Sequence, residues 1–190
     1  LIEKTAISSI TIPKNVKYST NVSSSYGVLV NVNTLKTVTF EEGMEAIPSC
    51  IMASGSYTSY IDKIILPSQL KKIGSSAFYN CGKITQMEVP KTITEIGGSA
   101  FENCTGLKSF RMNYNGTVEY KAEIGNAAFR GCTSLTDVSL SENVTSIGSM
   151  AFSGCTSLET LNLPERVESL GRCLIEKTAI SSITIPKNVK

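Results

Sequence analysis

The chain has 190 residues, with 18 Lys and Arg against 16 Asp and Glu, a net charge of +2, and neither Trp nor His. Apolar residues make up 41%, enough to bury a continuous core, whereas the basic residues are scattered along the chain, which argues against nucleic acid as a partner. Without histidine, Ser-His and Cys-His nucleophile systems cannot be built from these residues, and no apolar run approaches the length of a membrane-spanning helix.

Three apolar residues at i, i+3 and i+5 recur eight times along the chain. They are Ile7/Ile10/Ile12, Leu35/Val38/Phe40, Ile61/Ile64/Leu66, Ile84/Met87/Val89, Leu107/Phe110/Met112, Leu135/Val138/Leu140, Leu158/Leu161/Leu163 and Ile180/Ile183/Ile185. First members are separated by 28, 26, 23, 23, 28, 23 and 22 residues, so the unit is 22 or 23 with three insertions. A fixed period of that size is the signature of a solenoid. The alternation that ends each triplet predicts a strand with one buried face. Pro13, Pro67, Pro90, Pro164 and Pro186 follow directly and stop it. The I-G-x-x-A-F segment comes next and is too short for a full helix. Gly74, Gly97, Gly125 and Gly148 are expected to permit a tight bend, and one helical or 3-10 turn is predicted to drop the Phe into the core.

Residues 1–17 and 174–190 are identical, LIEKTAISSITIPKNVK, which points to recent duplication. The chain begins and ends inside a repeat, without the atypical terminal units solenoids use as caps. It is therefore expected to be a window on a longer array, 1–190 forming one solenoid of about eight strand-bearing repeats. Uncapped first and last strands are expected to favour head-to-tail self-association.

Cys81, Cys104, Cys132 and Cys155 each stand three residues after a repeat Phe, at Phe78, Phe101, Phe129 and Phe152. That places them in one column facing the core as buried free thiols, with a disulfide the alternative. Cys50 and Cys173 share a second slot. No C-x-x-C spacing suggests a metal, and no motif asks for a cofactor.

The fullest copy, A-F-x-x-C-x-x-L-x-x-L-x-L-P from Ala151 to Pro164, resembles the BspA-type leucine-rich repeat. The A-F-x-x-C core also starts at Ala77, Ala100 and Ala128. Ile51-Met52 and Leu174-Ile175 depart from it. The resemblance implies an α/β, right-handed, curved solenoid, with a parallel β-sheet on its concave face and short helical or 3-10 turns on the convex side. It further implies display on the cell surface or secretion, and contact with host or matrix proteins as an adhesin would make.

In each strand the residues flanking the middle apolar one point outward and build two columns. Charged and larger residues gather in the middle coils, defining a contact patch of Lys63, Ile65, Gln86, Glu88, Arg111 and Asp137 against a plain solvated β face. Six of seven tyrosines lie in the stretched segments, and Tyr57, Tyr60 and Tyr114, set among Ser, Gly and Asn, are the candidates there for a protein ligand. Ser68 and Lys71 match a bare S-x-x-K spacing but fill a turn slot, so no enzymatic activity is expected. Glu41, Glu42 and Glu45 are read as a solvated corner. Asn21, Asn103, Asn115 and Asn143 begin N-x-S/T sequons. Two function classes remain: a protein-binding module of a surface protein, or a spacer that projects another domain.

Overall fold

The structure, a computed structural model, describes residues 7–16, 29, 34–53, 60–113 and 120–190. The first six triplets supply one column of strands: β1 (Ser9–Ile12), β2 (Thr37–Phe40), β4 (Lys63–Ile65), β6 (Gln86–Val89), β8 (Ser109–Met112) and β10 (Asp137–Ser139). The V-x-x-I segments supply a second: β3 (Ala46–Ile47), β5 (Lys72–Ile73), β7 (Glu95–Ile96), β9 (Ala122–Ile124), β11 (Val144–Ile147) and β12 (Ser169–Leu170). Every pairing is parallel and equivalent residues sit side by side. Ile10 aligns with Val38 and Ile64, and Ile47 with Ile73, Ile96, Ile124, Ile147 and Leu170. The register slips once, at Thr145, where β11 carries one residue more than β9, a β-bulge.

The second column is a single six-stranded sheet, but the first is two three-stranded sheets, β1-β2-β4 and β6-β8-β10. The ladder is therefore interrupted between β4 and β6. Residues 158–163 and 180–185, the seventh and eighth triplets, carry no strand assignment.

The core is built of columns. Phe78, Phe101, Phe129 and Phe152 are fully buried and stack face to face, with ring centroids 5.1, 5.3 and 5.2 Å apart. Phe110 wedges between Phe101 and Phe129 at 5.8 and 4.5 Å. Such ring pairs add about 0.5–1.5 kcal/mol each beyond their area burial. The thiols of Cys104, Cys132 and Cys155 each donate, at 3.1 Å, to the carbonyl of the repeat Phe one coil back. A cysteine in this slot thus fills a small apolar space and satisfies a buried carbonyl. All six cysteines are free, and Cys173 alone is exposed.

The A-F segment corrects two expectations. Among the described residues no helix or 3-10 turn forms. Instead Ser76 and Asn80 take positive φ of 54° and 59°, as do their counterparts Ser99 and Asn103 at 54° and 58°. These left-handed residues break the helical run on either side of the Phe and turn alternate peptide planes toward the next coil. The N–H groups of Ser76, Phe78 and Asn80 donate to the carbonyls of Gly98, Ala100 and Glu102; those of Ser99, Phe101 and Asn103 donate to Asn126, Ala128 and Arg130. The pattern repeats through Met150, Phe152 and Gly154, always onto the following coil. An αL residue other than Gly costs roughly 1–2 kcal/mol, which the bonds between coils offset.

The glycine column also has a different cause from the one expected. Gly97 has no positive φ, yet a Cβ there would lie 2.5 Å from the Ser75 nitrogen and 2.7 Å from the Gly74 carbonyl carbon. Glycine is required because adjacent coils touch backbone to backbone. Gly98 is the internal control, since a Cβ there would come no nearer than 3.4 Å to the Asn126 oxygen.

Gly97→Ala should therefore lower unfolding stability by about 1–3 kcal/mol, the usual overpacking cost, with Gly98→Ala much closer to wild type; comparable urea midpoints for the two variants would contradict the close approach. Burial pushes the Cys104 and Cys132 thiols well above their ordinary range, helped by neighbouring thiols, and pushes Cys155 up to about 12. Because the unfolded chain ionises first, stability should be full below the ordinary thiol value of 9.0 and be lost as pH rises to about 12. Urea melts at stepped alkaline pH should show a shallower fall in Cys132→Ala than in wild type.

Candidate functional site

The strands of the first column carry the predicted patch. Lys63 and Ile65 stand on β4, Gln86 and Glu88 on β6, Arg111 on β8 and Asp137 on β10. All are exposed except the half-buried Asp137. Register sets Glu88 beside Arg111 and Ser109 between Gln86 and Asp137. The Arg111 guanidinium reaches across to donate to the Asp137 carboxylate. Both groups face solvent, so the pair contributes under about 1 kcal/mol. Lys63 and Glu88 form no ion pair among the described residues.

A groove of about 600 Å³ opens where the ladder is interrupted. Its apolar lining is Ile64, Leu66, Pro67, Met87 and Pro90; its polar lining is Ser68, Gln86, Glu88, Ser109, Arg111 and Asn113. Gln86, Glu88 and Arg111 thus line the groove itself. Lys63 and Ile65 lie on the strand that flanks it, and Asp137 joins through Arg111. Ile65 is 42% exposed, an apolar side chain beside the groove. A second groove, of about 390 Å³, runs between residues 160–165 and 182–186.

Tyr60 is exposed and lies just upstream of β4. The Lys36 ammonium sits 5.7 Å from its ring centroid, within cation–π range. Tyr57 and Tyr114 fall outside the described residues.

Several side chains seen in the sequence as a turn or a corner prove to clamp one coil to the next. Glu41 accepts the Lys14 N–H at 2.8 Å. Glu42 accepts both the N–H and the hydroxyl of Ser68 at 3.0 Å. Glu45 pairs with Lys71 at 2.8 Å. Ser68 and Lys71 are therefore each engaged by a carboxylate one coil away rather than by one another. Only the period could have revealed these pairs, since their members lie 26 or 27 residues apart. Asn143 is 4% exposed, which leaves a glycan no room at that sequon. Asn103 is half-buried, and Asn21 and Asn115 fall outside the described residues. No group of three or more metal-ligating side chains occurs among the described residues, and no helix there is long and apolar enough to cross a membrane.

A double-mutant cycle on Glu42→Ala and Ser68→Ala should return a coupling of roughly 0.5–1.5 kcal/mol in thermal melts. Strict additivity would remove the clamp.

Comparison with known proteins bears on this geometry. A family model described as BspA type leucine-rich repeat region, in six copies, matches residues 2–121 and 122–190. No curated protein matches the chain. Among solved structures, a leucine-rich repeat protein from Bacteroides ovatus is 26% identical, with a TM-score of 0.58 over 83% of this chain and 45% of its own length. Another from Eubacterium ventriosum is 18% identical, with a TM-score of 0.51 over 97% of this chain and 62% of its own. This chain thus spans about half the length of those proteins. With parallel coils in register, the A-F-x-x-C columns inside and a family match over nearly all of its length, the chain belongs to the BspA-type leucine-rich repeat family.

Proposed function

We propose that residues 1–190 form one solenoid that acts as a non-enzymatic protein-binding module of a surface-exposed or secreted, adhesin-like protein. Leucine-rich repeat modules generally serve protein interaction or structure, which supports the class. The observation that carries the reading to a place is the groove at the interrupted ladder. A continuous parallel sheet would present a level polar face. Here Ile64, Leu66 and Met87 line an opening that Glu88 and Arg111 share, while Lys63 lies on the flanking strand. A trough that sets a few apolar side chains among polar and charged groups suits an extended protein segment, and burial of those apolar groups at its centre supplies most of the affinity. The ligand class proposed is a host or extracellular-matrix protein, with Tyr60, Tyr57 and Tyr114 adding contact area beside the strands.

The spacer reading has one observation in its favour, the identical copies at 1–17 and 174–190, which would make length easy to extend. Binding measurements against a panel of matrix and serum proteins separate the two. A saturable partner is expected, with Glu88→Lys and Lys63→Glu each weakening it at least roughly tenfold. Lys72→Glu, on the second sheet, should leave it unchanged. A partner indifferent to both reversals, or bound equally well by a Tyr57, Tyr60 and Tyr114 to Ser triple variant, would move the contact elsewhere. The complete absence of a partner leaves the spacer.

A further inference from the structure

The interruption between β4 and β6 leaves two strand edges facing each other without bonds. At the other steps of the first column, the N–H of the leading strand residue donates to the coil before: Thr37 to Ser8 at 3.1 Å, Lys63 to Lys36 at 3.1 Å, Ser109 to Thr85 at 3.4 Å and Asp137 to Lys108 at 3.1 Å. Gln86 holds the same position on β6, yet among the described residues it makes no such bond to Asp62. Successive residues of a parallel strand bond to opposite neighbours. Lys63 and Ile65 serve β2, which leaves the N–H and C=O of Ile64 turned to the gap. Met87 serves β8, which leaves those of Gln86 and Glu88 turned to it from the other side.

Side chains beside the gap are left open as well. The inward-facing Ile64 and Leu66 are half-buried, whereas Val38 and Phe40, their counterparts one coil back, are buried. Lys63 and Glu88 carry opposite charges on the two edges. Neither has an ion-pair partner among the described residues, because Arg111 turns to Asp137 instead.

We propose that this gap seats an extended segment of the partner protein as an added strand, parallel to β4 and β6 and hydrogen-bonded to both. The inference rests on the groove being the binding site. There is room for it: the Cα atoms of β4 and β6 stand mostly more than 8 Å apart, where bonded neighbours lie about 4.8 Å apart. At that spacing, with a rise of about 3.3 Å per residue and a depth of about 10 Å, four extended residues occupy on the order of 600 Å³, which matches the groove. The parallel sense follows from the edges, since each would make with the newcomer the bonds it already makes with its other neighbour.

Register then sets the chemistry of the segment. Its first residue lies between Lys63 and Gln86 and is acidic. The second points inward between Ile64 and Met87 and is apolar. The third lies between Ile65 and Glu88 and is basic, and the fourth, between Leu66 and Val89, is again apolar. Main-chain bonds supply affinity and the alternate side chains supply selectivity.

The probe is the blocked peptide acetyl-Gly-Glu-Val-Lys-Val-Gly-amide, titrated into the full chain and followed by NMR and amide hydrogen exchange. Binding is expected at millimolar peptide, with slowed exchange at the Ile64, Gln86 and Glu88 amides. Swapping the two charges of the peptide should weaken it at least roughly tenfold, and the Lys63→Glu, Glu88→Lys double variant should reverse that preference. Gln86→Pro removes an N–H that faces only the gap, a place where an edge strand tolerates proline. It should leave the melting temperature little changed and weaken the peptide at least roughly tenfold. Unaltered exchange at the three amides, equal binding of the two peptides, or a Gln86→Pro variant that binds like wild type would each overturn the added strand. A protein partner that is weakened by Glu88→Lys while the peptide protects none of the three amides would keep the groove as the site and sink only the strand.

Discussion

A coil of about 23 residues cannot satisfy its own backbone. Its strands are two to four residues long, its turns are opened by left-handed residues, and most of its remaining N–H and C=O groups point along the stack. The hydrogen bonds between coils therefore decide the rest of the structure. They fix the register, the register puts like side chains over like, and only then do the phenylalanines meet face to face. Fixing the backbone of a single coil costs roughly 1–2 kcal/mol per residue, so isolated coils are not stable, and stability is set by neighbour on neighbour. The glycine column belongs to the same constraint. Where coils touch backbone to backbone there is no room for a methyl group, and the sequence answers with Gly74, Gly97, Gly125, Gly148 and Gly171.

The groove proposed as a binding face follows from a lapse in that bonding. From β6 to β10, where the first-column ladder is continuous, the coils are tied on three sides: the two strand columns and the A-F turns. Between β4 and β6 one tie is missing while the other two persist, through β5 with β7 and through Phe78 with Ala100. The coils stay stacked, yet their first-column strands part enough to admit a groove. A local opening held by intact flanks is a rigid feature, and a rigid site binds with less ordering cost than a loop.

Much of this was legible in the sequence, because the period assigns each residue a column. The burial of Phe129 and Cys132, the parallel sense of the strands and the outward rows holding Glu88 and Arg111 all follow from counting. Other features were not. The turns at Ser76, Ser99, Ala127 and Met150 adopt positive φ although none of these residue types announces it, so a helical turn was the natural expectation and tertiary bonding overrode it. Gly97 was assigned to a bend, since sequence cannot distinguish a glycine needed for its φ from one needed for its size. Glu41, Glu42 and Glu45 looked like a solvated corner because their partners lie one coil away. The interruption beside β4 left no mark in the sequence beyond the outward-facing Ile65.

The A-F turns give the stack a sense of direction. Every N–H there that crosses between coils faces the later coil and every carbonyl paired with it the earlier one, so these alternate peptide dipoles align from coil to coil instead of cancelling, as they do along an α-helix. The columns end in carbonyl oxygens on one side and amide hydrogens on the other. A further coil, from whatever source, finds complementary groups only if it arrives with the same polarity; laid on in reverse, it would set donor against donor. Growth of such an assembly is accordingly vectorial, a property written into the backbone and independent of any side chain on the surface.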